Sequence, residues 1–133
     1  MILIIDSRDR LPGGTPNSFR VSLRPGLEAV RSARLLYADI ASPEGDTEPY
    51  YMIATSLGVN VRGATQGAGA TFVIPRSAAA GYRTFHAQES QFPAIHFESP
   101  PRGITELDVD VRTHGGSAGL TDEWFMVLDV NCE

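Results

Sequence analysis

Leu107-Asp108-Val109-Asp110-Val111-Arg112 alternates apolar and charged side chains without a break. That period of two lays one face of a β-strand on a core and turns the other face to water. Phe19-Arg20-Val21-Ser22-Leu23-Arg24 repeats the pattern until Pro25-Gly26 stops it, so residues 18–24 read as a half-buried strand. Around these two lie further short runs rich in β-branched and aromatic residues, at 2–5, 50–55, 59–61, 71–74, 82–87, 94–98 and 123–130. Gly, Pro, Ser or Asp bound each of them. Residues 27–41 fit two periods: Leu27, Val30, Arg34 and Leu35 form a helical stripe, while Val30, Leu36, Ala38 and Ile40 alternate as in a strand. The reading adopted is a brief turn near 26–29 and a strand over 31–41. The run 124–128 is apolar on both faces, which places it centrally in a sheet or beneath another subunit. Short strands at spacings of roughly ten residues predict an all-β fold, a two-sheet antiparallel sandwich and most naturally a jelly roll. Phe19, Val21, Leu23, Val109, Val111, Met126 and Leu128 are its expected core. The chain reads as one domain over residues 1–133, with a short amino-terminal strand and arm over residues 1–17.

The composition agrees. Thirteen Gly and nine Pro in 133 residues exclude a coiled coil or long-helix protein. No apolar run approaches the eighteen or so residues of a membrane span, and Met1-Ile2-Leu3-Ile4-Ile5 is too short for a signal peptide, so no membrane partner is expected. Cys132 is the single cysteine, which excludes an intrachain disulfide and thiolate-rich zinc sites. All eleven basic residues are Arg. Lys-dependent phosphate loops, Schiff bases and kinase-type chemistry are thereby excluded. An all-Arg basic set is most simply a trace of GC-rich coding, yet Arg also makes the planar, bidentate contacts that suit protein interfaces. Residues 1–40 carry six Arg against four acids, and residues 41–133 carry five against twelve. The net charge of −5, with no basic strand interleaved with aromatics, argues against direct nucleic-acid binding.

No catalytic set emerges. His86, His96 and His114 match no metal-ligand spacing. Asp108 and Asp110 share a strand face and, with Asp46, Glu48 or Asp122, offer calcium-type ligands, though alternating acids more often form a solvated face. Gly116-Ser117-Ala118-Gly119 only imitates a nucleophile elbow, and the Gly-rich run at 63–69 lacks the Lys and helix start of a phosphate loop. Tyr50, Tyr51, Tyr82 and Trp124 offer an aromatic platform for a sugar, or simply core. The chain is expected to be no enzyme and to need neither cofactor nor metal.

The amino-terminal third carries the most distinctive pattern: an apolar strand, Asp6-Ser7-Arg8-Asp9-Arg10, a Gly/Pro/Thr loop, Asn17-Ser18-Phe19-Arg20-Val21-Ser22-Leu23, then Leu27 to Leu35 and Pro43. It resembles the DSRDR-type opening of virion proteins of large DNA viruses and some bacteriophages. Phe92-Pro93, Ile95-His96-Phe97, 107–111 and the closing hydrophobic strand resemble their later half more loosely. The chain departs from them in lacking Lys- and Asn-rich loops. The resemblance implies a jelly-roll minor capsid, cement (decoration) or tail-associated subunit, located in the virion and assembled in the host cytoplasm. It would act as a homo-oligomer docked on the major capsid protein or other virion subunits.

On physical grounds Asp6, Arg8, Asp9 and Arg10 pair locally or reach across an interface, and Arg20 and Arg24 share a strand face beside them. These six residues form the expected interface. A second reading is a sandwich that binds a glycan or host-surface ligand through loops 42–49, 63–70 and 113–122. A third, least favoured, is a small cupin-like or hydrolytic enzyme using the histidines.

Overall fold

The computed structural model describes residues 1–43, 45–62, 69–75, 84–85 and 94–132. The strands are β1 (Ile2–Asp6), β2 (Ser18–Ala41), β3 (Tyr50–Thr55), β4 (Val61–Arg62), β5 (Gly69–Ala70) and β6 (Phe72–Pro75). They continue with β7 (Thr84–Phe85), β8 (Ile95–His96), β9 (Arg102–Thr113), β10 (Gly116–Ser117) and β11 (Phe125–Cys132). A single 3-10 turn, Ser7–Asp9, is the helical element among the described residues. The fold is all-β and antiparallel, as the alternation requires, and its main sheet runs β1-β11-β2-β9-β3-β6 as one curled layer folded over a core. β10 adds to β9, β7 and β8 add to β2, and β4 pairs with β5 in a small separate ribbon.

The two runs with the cleanest alternation lie side by side. Phe19 stands opposite Val109 and Val21 opposite Leu107, all buried, while on the outer face Arg20 stands opposite Asp108. All seven expected core residues are buried. β11 is an interior strand, one place in from the edge, between β1 and β2, with Met126, Leu128 and Val130 buried and Phe125 and Val127 half-buried.

The expected turn near 26–29 is not a turn: residues 18–41 form one 24-residue strand. Its middle bulges, because pairing passes from Ser22 opposite Glu106 to Leu27 opposite Ile104, leaving extra residues on β2. Pro25, without an N–H, and Gly26 sit in that bulge. A Cβ on Gly26 would come 2.8 Å from the Ile104 carbonyl oxygen, so no larger residue lets the strands close there. After Ala29, opposite Arg102, β2 leaves β9, and from Val30 onward it pairs with β11, which is how one strand serves both halves of the curled sheet. Two further register shifts against β11, near Arg31 and near Leu36, change which residues face inward. Ala33 and Leu35 are buried before the second shift and Ala38 and Ile40 after it. These phase changes made the segment read as two periods at once.

Candidate interface at the amino-terminal motif

β1 pairs with β11, with Ile5 opposite Met126 and Asp6 opposite Phe125. This register brings the motif Asp6 to Arg10 against Glu123 and Trp124. Asp6 caps the 3-10 turn: its carboxylate accepts the Arg8 backbone N–H at 2.9 Å and the Arg8 Nε–H at 3.0 Å. Hydrogen bonding from the Arg8 side chain holds the Asp6 carboxyl below its ordinary pKa. Ser7 is fully buried. Its N–H donates to the Trp124 carbonyl at 2.9 Å, and its hydroxyl accepts the Trp124 N–H at 2.9 Å and donates to the Glu123 carboxylate. Arg10 completes the knot, donating from Nη1 to the Ser7 carbonyl at 2.8 Å and to the Glu123 carboxylate at 2.7 Å.

Trp124 is buried, edge-on to Phe19 with ring centroids 5.8 Å apart, and its indole N–H donates to the Pro16 carbonyl at 2.7 Å. Asn17 ties the next turn of chain: its carbonyl accepts the Val111 N–H at 2.9 Å, and its side chain reaches Ser117 Oγ at 2.6 Å and the Leu120 N–H at 3.2 Å. Residues 1–17, read from the sequence as strand and arm, thus lie along the chain's own body. Ser7, Asn17, Glu123 and Trp124 are the residues that the sequence left without these roles. Only the β1–β11 register, which no local pattern encodes, places Ser7 opposite Trp124.

The six expected interface residues fall into two kinds. Arg10 is committed within the chain, and Asp6 is partly buried at the cap. Arg8 has 72% of its side chain exposed, and Asp9 stands at the surface. Arg20 lies on the outer face of β2, donating from Nε to Asp108 at 2.6 Å, with Glu106 at 3.4 Å. Arg24 is exposed at the bulge, donating weakly from Nε to Ser22 Oγ at 3.4 Å. The loop 11–14 walls a shallow recess beside Arg8 and Arg10 on one side. On its other side it borders an open groove of about 710 Å³ that Arg20, Asp108, Asp110 and Arg112 line.

The other candidates fare differently. His96 and His114 are exposed and His86 lies outside the described residues. Among the described residues no three or more His, Cys, Asp or Glu gather as metal ligands do. Asp108 and Asp110 each face a guanidinium, Arg20 and Arg112, rather than one another's cation. Tyr51 and Trp124 are buried, so they cannot form an exposed aromatic platform, and Tyr82 lies outside the described residues. Ser117 belongs to β10 and holds Asn17. Of the loops read as a ligand-binding set, residues 63–68 also lie outside the described residues. No helix of the described residues is long and apolar enough to cross a membrane.

No known protein-family model matches the sequence, and no curated protein matches it significantly.

Hydrogen bonds from Arg10, and then from Ser7, hold the Glu123 carboxyl below its ordinary pKa. Glu123 therefore binds its proton less readily in the folded chain than in the unfolded one. The stability it adds is full above its unfolded pKa and is lost as pH falls through the depressed folded value. Glu123→Gln is expected to lower the urea midpoint at neutral pH, with the gap from wild type closing as the medium is acidified through that range. A gap that stays constant down to strongly acidic pH would show that the knot gains nothing from the carboxylate.

Proposed function

We propose that the chain is a virion structural protein, a minor capsid, cement or tail-associated subunit that works by docking on other virion subunits. What supports this reading is the division of labour in its DSRDR-type opening. Ser7 and Arg10 bind Glu123 and Trp124 and fix the amino-terminal segment against the start of β11, with Asp6 capping the turn, whereas Arg8, Asp9, Arg20 and Arg24 remain at the surface. A guanidinium held on a rigid strand or turn loses little freedom when it meets a carboxylate of another subunit, and such pairs dominate many interfaces. The major capsid protein is the partner the resemblance implies.

The test replaces two of the outward arginines, Arg8 and Arg24, and spares Arg10, whose loss would open the knot. Arg8→Ala with Arg24→Ala is expected to leave circular dichroism and thermal midpoint essentially unchanged, because exposed pairs contribute about 1 kcal/mol at most. The double variant should enter particles poorly, with docking weakened about thirtyfold per guanidinium lost, equivalent to about 2 kcal/mol at a hot spot. Normal incorporation of the folded double variant would count against this surface.

A further inference from the structure

β1 is the outermost strand on its side of the sheet, with β11 as its one partner strand among the described residues. The Ser7 N–H donates to the Trp124 carbonyl and the Val130 N–H to the Met1 carbonyl at 2.8 Å. These bonds fix the odd-numbered residues of β1 as those whose backbone groups face β11. The N–H and C=O groups of Ile2, Ile4 and Asp6 therefore point away from β11, along the free edge.

The side chains of that edge are apolar and open, with Ile2 58% and Ile4 63% exposed. They continue a stripe across the outer face. Ile4 stands opposite the half-buried Val127 and Asp6 opposite the half-buried Phe125, whose ring lies 5.7 Å from that of Tyr37. Sheet edges are ordinarily protected by a proline, a bulge or a charge. Between Ile2 and Ile5 there is neither proline nor charge, and the pairing with β11 runs without a register shift.

We infer that β1 pairs antiparallel with β1 of a second copy about a two-fold axis at Ile4, joining two curled sheets into one. The edge is complementary to itself in this register. Ile4 meets the partner's Ile4 and Ile2 meets the partner's Asp6, so every outward backbone donor finds an outward acceptor. The row from Asp129 through Ile2 to the partner's Asp6 carries two carboxylates two strands apart, each already paired within its own copy, Asp129 with the Met1 ammonium at 3.4 Å and Asp6 with Arg8. Parallel pairing would instead set Asp6 beside the partner's Asp6. The opposite edge of the sheet is a poorer match, since β6 ends in Pro75, which has no N–H to give.

This pairing stands apart from the virion reading, because it requires only two copies of the purified chain. Sedimentation of the wild-type chain should show a dimer that dissociates on dilution. Ile4→Lys, at a position already exposed, should be monomeric with an unchanged circular dichroism spectrum. The register has its own test in a Cys132→Ser background. Ile4→Cys should form a disulfide-linked dimer under mild oxidation, because facing residues of a hydrogen-bonded pair lie about 5.5 Å apart, within disulfide reach. Ile2→Cys should not, since four residues of offset put its counterpart about 14 Å away. A wild-type chain monomeric at every concentration, a dimer that survives Ile4→Lys, or equal cross-linking of the two cysteine variants would each overturn the inference.

Discussion

Trp124→Ala is expected to destabilise the chain by about 4 kcal/mol, the upper part of the range for emptying a large aromatic site. The indole is buried, lies edge-on against Phe19, and donates its N–H to the Pro16 carbonyl. Truncation leaves a cavity beneath the amino-terminal segment and strips that carbonyl of its donor, and the two losses add. Small domains commonly have about 5–15 kcal/mol to lose in total, so the variant sits near the edge of folding. Trp124→Phe separates the terms: it retains most of the burial and loses the hydrogen bond, for about 1.5 kcal/mol. Equilibrium urea unfolding of both variants checks the order. If Trp124→Ala and Trp124→Phe cost the same small amount, the indole is not the keystone of this corner.

Leu128→Ala is expected to cost about 3 kcal/mol through lost burial and an unfilled cavity. Leu128 has no exposed surface, stands opposite Leu3 on β1 and Leu35 on β2, and lies at a register shift. With a strand on each side of β11, the neighbours have little room to collapse into the space. Ile4→Ala provides the contrast, since that side chain is 63% exposed and its loss should change the stability of the monomer by less than about 0.5 kcal/mol. Chemical denaturation should therefore separate the two by most of the Leu128 effect. A Leu128→Ala variant as stable as Ile4→Ala would contradict the placement of β11 in the interior of the sheet.

Fold class was legible because strands with one wet face carry their period on the surface of the sequence. Phe19 and Val21 on one strand, and Leu107 and Val109 on the other, alternate with polar residues and prove to be cross-strand neighbours. What escaped the sequence is whatever depends on pairing register. β2 hid its continuity behind a bulge at Pro25-Gly26 and two phase changes, each of which mimics an element boundary. The site was half legible. Asp6, Arg8, Asp9 and Arg10 are conspicuous as charges, but Ser7, a small residue among them, is the buried hub, and its partners Glu123 and Trp124 lie more than a hundred residues away. A local reading sees ion pairs between neighbours and cannot tell which guanidinium reaches a distant part of the chain. The β1–β11 register decides it, committing Arg10 to Glu123, while Arg8 pairs with Asp6 two residues away and keeps most of its side chain in solvent.

The proposed structural role is tested most directly by quantitative mass spectrometry of particles purified, with a high-salt wash, from cultures that express the genome encoding the chain. The expected result is the intact chain in several copies per particle, at a fixed ratio to the most abundant shell protein from one preparation to the next. Its presence in the culture lysate together with its absence from the washed particles would contradict the role.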